Sequence, residues 1–209
     1  MRIESIEIKN YRLFRDAKFE NIPQLCVVIG ANGTGKSTLF DLFSFLKDAL
    51  SMNVGKAVLK RGGYRELASR GFSKDAIEIT LKFRLEITGK NRLVTYVLEI
   101  APDKTGRALV RREILRYKRG ASGKPFHFLD FAYGVGYAIN NEEDFSQKDE
   151  ELTREEQQLE APDILAVKGL GQFERFKAAK AFRLMIENWH ISDFHVSEAR
   201  PSQEEGFAE

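Results

Sequence analysis

The stretch Gly30-Ala31-Asn32-Gly33-Thr34-Gly35-Lys36-Ser37 is the most informative part of this chain. It has the spacing G-x-x-x-x-G-K-[ST] of a phosphate-binding loop. Glycine lets such a loop approach a polyphosphate closely, because it has no Cβ and tolerates positive φ. The N–H groups of the loop can then bind phosphate oxygens. The spacing places Lys36 at the β- and γ-phosphates of a nucleoside triphosphate and the Ser37 hydroxyl on Mg²⁺. The predicted binding residues are Gly30, Asn32, Gly33, Thr34, Gly35, Lys36, Ser37 and Thr38.

The sequence on either side of this loop supports the prediction. Residues 25–29 are apolar and partly β-branched, which predicts a buried strand. Residues 36–50 carry apolar side chains at helical spacing, which predicts an amphipathic helix. Strand, glycine-rich loop and helix in this order aim the positive end of the helix dipole at a bound phosphate. The single cysteine, Cys26, falls in the predicted strand, and we expect it in the core.

Composition limits the class of protein. The 209 residues, 43% hydrophobic and 31% charged, suffice for one globular domain with a core. The net charge of +2 neither requires nor excludes nucleic acid. One cysteine allows no disulfide within the chain, which fits a reducing cytoplasm. The sequence has no apolar run of membrane-spanning length and no signal-peptide core at its start. We therefore predict a cytoplasmic protein without a membrane partner.

Several further elements follow from periodicity. Residues 2–9 and 16–20 predict two short strands, and the glycine-rich, basic stretch 51–75 predicts an irregular exposed connection. Apolar and polar residues alternate strictly over 77–87 and 94–100, and less clearly over 108–118 and 126–131. Such strands, joined by short turns, predict an antiparallel meander with one wet face.

The C-terminal part is more varied. Residues 142–160 hold nine acidic and two basic side chains, which predicts a solvated helix or loose loop. Apolar residues recur at helical spacing over 173–187, and 189–196 could form a strand. Residues 103–124 hold eight basic and two acidic side chains. This basic stretch could face DNA, form a solvated surface, or pair with the acidic segment.

These motifs together resemble a known family. A first strand ending in Asn10-Tyr11-Arg12, followed by a second strand and the glycine-rich loop, is similar to the RecF/SMC/OLD-type branch of ABC ATPases. The resemblance implies an α/β fold, a P-loop NTPase of the ABC-head type with an inserted antiparallel β lobe, that binds Mg·ATP. It also implies that Arg12 lies near the phosphates, and that Gln172 contacts Mg²⁺ together with Ser37.

The sequence departs from the family pattern where hydrolysis is concerned. It contains no apolar strand followed by Asp-Glu (Walker B) and no Leu-Ser-Gly-Gly signature loop. It closes on a polar stretch, 200–206, and we expect an N-terminal portion of a longer ATPase, incomplete at its C-terminus. The predicted parts are a strand, P-loop and helix unit (1–50), a β lobe (76–140), an acidic exposed segment (141–160), and a helix with a strand (161–209).

Three functional hypotheses remain open at this stage. The first is the ATP-binding part of an ABC-type ATPase, which would hydrolyse ATP only with the missing motifs and a second head in a homodimer. The second is a non-hydrolysing, nucleotide-dependent interaction module in DNA repair or phage defence. The third is a small-molecule kinase, for which Arg61, Arg65 and Arg70 are the available lid residues.

Overall fold

The computed structural model describes residues 2–118, 125–140 and 152–190. Within these ranges, eight strands form one antiparallel sheet in the order β2-β1-β3-β4-β5-β6-β7-β8. The strands are β1 (Arg2–Tyr11), β2 (Phe14–Glu20), β3 (Ile77–Ile87), β4 (Lys90–Pro102), β5 (Ala108–Tyr117), β6 (Phe126–Ala132), β7 (Val135–Ile139) and β8 (Arg154–Gln158). The helices are α1 (Lys36–Ser51), α2 (Val54–Leu59), α3 (Tyr64–Leu67), α4 (Ala166–Leu170) and α5 (Lys177–Glu187).

The alternating pattern explains the centre of the sheet. In β3 and β4, Leu81 lies opposite Tyr96 and both are fully buried, whereas the next pair, Lys82 and Thr95, points to the other face. Side chains on one face of adjacent strands meet in this way because successive residues point to opposite faces. The predicted meander over 77–118 and 126–131 is confirmed.

Helices cover the apolar face of the sheet. Phe182 of α5 packs on Tyr96 with ring centroids 4.2 Å apart and on Phe83 at 5.2 Å. Phe45 of α1 packs on Tyr11 at the end of β1, at 5.9 Å. The predicted helices at 36–50 and within 173–187 are therefore confirmed, although α5 begins only at Lys177.

The prediction of a strand before the glycine-rich loop is wrong. Residues 25–29 are not a strand, and their apolar side chains are exposed, with Leu25 at 84% and Ile29 at 89%. Cys26 is exposed as well, not part of the core. An apolar, β-branched segment can form a strand only where a neighbour pairs with its N–H and C=O groups. No described strand runs beside these residues.

Two other predictions need correction, and some lie outside the described residues. The stretch 51–75 is not irregular and exposed, because α2 and α3 form there and bury Val54, Ala57 and Leu67. Residues 154–158 of the acidic segment form β8, which pairs with β7. This pairing uses backbone N–H and C=O groups, so charged side chains do not prevent it. β3, the first strand of the predicted β lobe, pairs with β1, and the other strands of the lobe continue the same sheet. Residues 141–151 and most of the predicted strand 189–196 lie outside the described residues.

A carboxylate is buried between the sheet and the helices. Glu113 of β5 is fully buried and accepts hydrogen bonds from the N–H of Ala166 at 2.5 Å and of Val167 at 3.3 Å, at the start of α4. The Tyr96 hydroxyl donates to the same side chain at 3.0 Å. Burial raises the pKa of Glu113 more than these hydrogen bonds lower it, and the resulting pKa is about 7.

We expect Glu113 to make the stability of the fold depend on pH. Its folded-state pKa of about 7 exceeds the ordinary value of 4.5, so stability is full at low pH and is lost as pH rises through about 7. The side chain of Glu113→Gln cannot ionise. The melting temperature of the wild type should therefore fall relative to that of the variant between pH 5 and pH 8. Thermal melts at four pH values measure this, and two parallel curves would contradict it.

Candidate functional site

The glycine-rich loop, residues 30–37, adopts a backbone that glycine makes possible. Gly33 and Gly35 have φ of 82° and 98°, in the left-handed region where a Cβ is unfavourable. A Cβ on Gly35 would lie 2.9 Å from Cε1 of Phe14, so the β2 side chain closes directly over the loop. A Cβ on Gly30 would lie 2.9 Å from Thr34 Oγ1. We call residues 30–37 the phosphate loop.

Helix α1 begins at Lys36 with an open N-terminus. No side chain caps it, and its first turn holds no acidic residue. The first N–H groups of a helix have no partner within the helix and carry a partial positive charge. Gly35, in a left-handed conformation, directly precedes Lys36, so the glycine-rich loop leads into the N-terminus of α1. The arrangement favours an anion.

The polar side chains of the phosphate loop are engaged with the loop itself. Lys36 Nζ donates to the carbonyls of Gly30 and Ala31, at 2.7 Å each. Thr34 Oγ1 donates to the Ala31 carbonyl at 2.9 Å. The amine is thus drawn back onto the start of the loop, where phosphate oxygens could replace the carbonyls as its partners. Asn32 and Ser37 are exposed and Thr38 is buried.

The Asn10-Tyr11-Arg12 turn has a structural explanation. Asn10 is buried with φ of 58°, and its Nδ2 donates to the Phe72 carbonyl at 3.0 Å and the Asp75 carbonyl at 2.8 Å. Its Oδ1 accepts from the N–H of Ser69 at 3.0 Å. Asn10 therefore fastens the end of β1 to the loop that follows α3.

Arg12 lies beside α1 in a groove next to the phosphate loop. The groove has a volume of about 760 Å³ and includes Thr38 of the first turn of α1. Its other charged lining residues are Arg65, Arg70 and Glu66. Within the described part of the chain, Arg65 and Arg70 form no ion pair or side-chain hydrogen bond. We call this the arginine groove. The sequence predicted Arg12 near the phosphates, whereas Arg65 and Arg70 were predicted only as lid residues under the kinase hypothesis.

Gln172, the predicted Mg²⁺ ligand, lies after α4. Its Nε2 is 3.4 Å from the carbonyl of Lys168, and Lys168 Nζ in turn donates to the carbonyls of Ser51 and Met52. These carbonyls end α1, whereas Ser37 is in its first turn, roughly 20 Å away along a helix axis. The structure does not bring Gln172 beside Ser37, and its role stays a prediction.

Three arginines of the basic stretch, residues 103–124, pair with carboxylates. Arg111 Nε lies 2.9 Å from Glu99, and Arg112 Nη2 lies 3.0 Å from Asp130. Arg107 Nη2 lies 2.8 Å from Asp163, which is buried. These pairs neutralise part of the positive charge that phosphate contacts would require, which argues against this face as a DNA surface.

Comparison with known proteins identifies similar sequences. Residues 1–194 match the family model of the AAA ATPase domain. The DNA replication and repair protein RecF of Lactobacillus gasseri is 28% identical over 148 residues, which cover 68% of this chain and 39% of that protein. RecF of Lactococcus lactis subsp. cremoris is 23% identical over 150 residues, covering 66% of this chain and 40% of that protein. The chain thus spans about two fifths of the length of these relatives.

No helix within the described ranges is both long enough and apolar enough to cross a bilayer.

We expect two glycines of the phosphate loop to respond differently to alanine. Gly33→Ala adds a Cβ with no atom within 4 Å, so it introduces only backbone strain, about 1 kcal/mol. Gly35→Ala adds the same strain and also collides with the Phe14 ring. Gly35→Ala should therefore lower the melting temperature more. Equal melting temperatures for the two variants would show that Phe14 does not pack against the loop.

Proposed function

The chain belongs to the AAA ATPase domain family, in the RecF/SMC-like branch of ABC ATPases, and we propose that it binds Mg·ATP at the phosphate loop. The observation that carries the proposal is the open, uncapped N-terminus of α1 behind two left-handed glycines. Backbone N–H groups, the helix dipole and the Lys36 amine then act on one anion. A triphosphate is the ligand that this combination fits best.

The roles of the individual side chains follow from their chemistry. Lys36 would exchange the carbonyls of Gly30 and Ala31 for β- and γ-phosphate oxygens. The exposed Ser37 hydroxyl would hold Mg²⁺ together with phosphate oxygens, and the ion would neutralise charge on the phosphates. Arg12 would add a planar guanidinium from the adjacent arginine groove.

Hydrolysis, in this proposal, needs groups that the sequence does not contain. A Walker B carboxylate pair would hold Mg²⁺ through water and polarise the attacking water. A second head in an ATP-bound homodimer would supply the signature loop. The 209 residues contain neither motif. The chain would therefore contribute the phosphate-binding part of an active site.

By similarity to the RecF relatives, which are DNA replication and repair proteins, we propose a role in DNA replication or repair. The ion pairs of Arg107, Arg111 and Arg112 argue against this end of β5 as the surface that would contact DNA.

The first test removes the amine of the phosphate loop. Lys36→Ala should weaken ATP binding at least tenfold, because a hydrogen bond to a charged group contributes roughly 1.5–3 kcal/mol. Calorimetric titration with ATP in the presence of Mg²⁺ measures the change. Lys47→Ala is the matched control, since Lys47 lies on the same helix but donates to the Trp189 carbonyl. Unchanged affinity in Lys36→Ala would move the nucleotide site away from this loop.

The second test measures turnover. The purified 209-residue chain should hydrolyse ATP far more slowly than about 1 s⁻¹, the lower end of typical enzyme turnover. Phosphate release at saturating Mg·ATP measures the rate. A rate of about 1 s⁻¹ that Lys36→Ala abolishes would mean that this chain holds a complete active site.

A further inference from the structure

One carboxylate of α1, that of Asp41, has three partners: two hydrogen-bond donors and one ion-pair partner. Asp41 Oδ2 accepts from the Tyr11 hydroxyl at 2.8 Å and lies 2.6 Å from Arg12 Nε. Asp41 Oδ1 accepts from Arg61 Nε at 2.9 Å. The contact with Arg12 is an ion pair without a directed hydrogen bond, because the Nε–H is not aimed at the oxygen. The end of β1, helix α1 and the segment after α2 thus meet at Asp41.

Arg61 keeps the Asp41 carboxylate in place. Its side chain is only 7% exposed, and its Nη1 donates to Asp48 Oδ2 at 2.8 Å and to the Ala57 carbonyl at 3.1 Å. Burial lowers the pKa of Arg61, but its bonds to Asp48 and Asp41 raise it overall, so the guanidinium stays charged. The Asp41 carboxylate therefore has little freedom to turn away from Arg12.

Tyr11 fixes the same carboxylate from the core. It is fully buried, and burial together with the neighbouring Asp41 raises the pKa of its hydroxyl. The hydroxyl thus remains protonated and donates its single hydrogen to Asp41. With Tyr11 and Arg61 both engaged, Asp41 is oriented before any ligand arrives.

The fixed Asp41 carboxylate in turn orients the side chain of Arg12. Its Nε lies against Asp41, and no described residue accepts a hydrogen bond from its two Nη groups, so these can donate to a ligand in the arginine groove. Its side chain is 35% exposed and has many rotamers when unpaired, which would be costly to restrict on binding. Its backbone is held too, since the Arg12 N–H donates to the Leu67 carbonyl at 2.7 Å. A guanidinium that is already oriented binds a phosphate at lower entropic cost.

We propose that Asp41 is a positioning residue that acts through Arg12. It holds the guanidinium at the edge of the phosphate loop and thereby strengthens the binding of a nucleoside triphosphate. The proposal rests on the proposed ATP site and adds a residue that does not touch the nucleotide. The opposite arrangement, in which Asp41 competes with phosphate for Arg12, predicts tighter binding once Asp41 is neutralised.

The experiment is a double-mutant cycle on ATP affinity. Asp41→Asn, Arg12→Ala and the double variant are titrated with Mg·ATP, and their melting temperatures are recorded. Asp41→Asn should weaken binding roughly tenfold, as expected for a lost interaction with a charged group. The double variant should bind as Arg12→Ala does, because Asp41 acts only through Arg12.

Asp48→Asn is the matched control. Asp48 lies seven residues further on the same helix and also pairs with Arg61, at 2.8 Å, but does not contact Arg12. Arg61 retains the Asp41 and Ala57 bonds in this variant. Its ATP affinity should stay within about twofold of wild type, whatever its melting temperature. A loss as large as that in Asp41→Asn would reduce Asp41 to a structural residue and overturn the inference.

Arg12→Lys covers the case in which Asp41→Asn does not fold. Arg12 is partly exposed, so the fold should tolerate a lysine at this position. Lysine keeps the positive charge of arginine but lacks the planar guanidinium that can contact Asp41 on one side and a phosphate on the other. Arg12→Lys should bind ATP about as weakly as Arg12→Ala. Wild-type affinity in Arg12→Lys, additive losses in the cycle, or tighter binding in Asp41→Asn would each overturn the inference.

The two proposals fail in different ways. If Lys36→Ala leaves ATP affinity unchanged, the proposed site itself is wrong, and the inference falls with it. If Lys36→Ala weakens binding but Asp41→Asn matches wild type, only the positioning role of Asp41 is wrong.

Discussion

The turn that ends β1 is the constraint on which the site depends. Asn10 and Arg12 both have positive φ, 58° and 48°, which residues with a Cβ rarely adopt. Such a conformation persists only where the surroundings hold it. Here the Asn10 amide is bonded to the loop after α3, and the next two side chains converge on Asp41. The turn therefore positions the β1–β2 hairpin, α1 and the arginine groove together.

The hairpin in turn supports the phosphate loop. Phe14, the first residue of β2, packs against Gly35, and it also contacts Phe19 further along the strand, with ring centroids 5.7 Å apart. The glycines thus serve two purposes: they supply left-handed backbone, and at Gly35 they leave space for an aromatic ring. The glycine of the motif at position 35 therefore meets a packing requirement in addition to the requirement of phosphate binding.

Charge is distributed unevenly between the sheet and the groove. On β5, Arg111 and Arg112 meet carboxylates from neighbouring strands, so this part of the sheet carries mixed charge. In the arginine groove, Arg65 and Arg70 have no such partner among the described residues, and they lie beside Arg12. Positive potential is therefore concentrated near the open end of α1, which would attract an anionic ligand.

The sequence alone predicted the glycine-rich loop, helix α1 and the central antiparallel strands, because each prediction depends on residue spacing within a short stretch. It did not determine that residues 25–29 are exposed, since burial of a strand depends on neighbours that the pattern does not contain. It also gave no sign of Asp41 or Glu113, because an isolated carboxylate in a helix or strand resembles a solvated surface residue. Their partners are brought together only by folding: Asp41 meets Tyr11 from 30 residues away, and Glu113 meets Ala166 from 53. Contacts of that range are decided by tertiary packing.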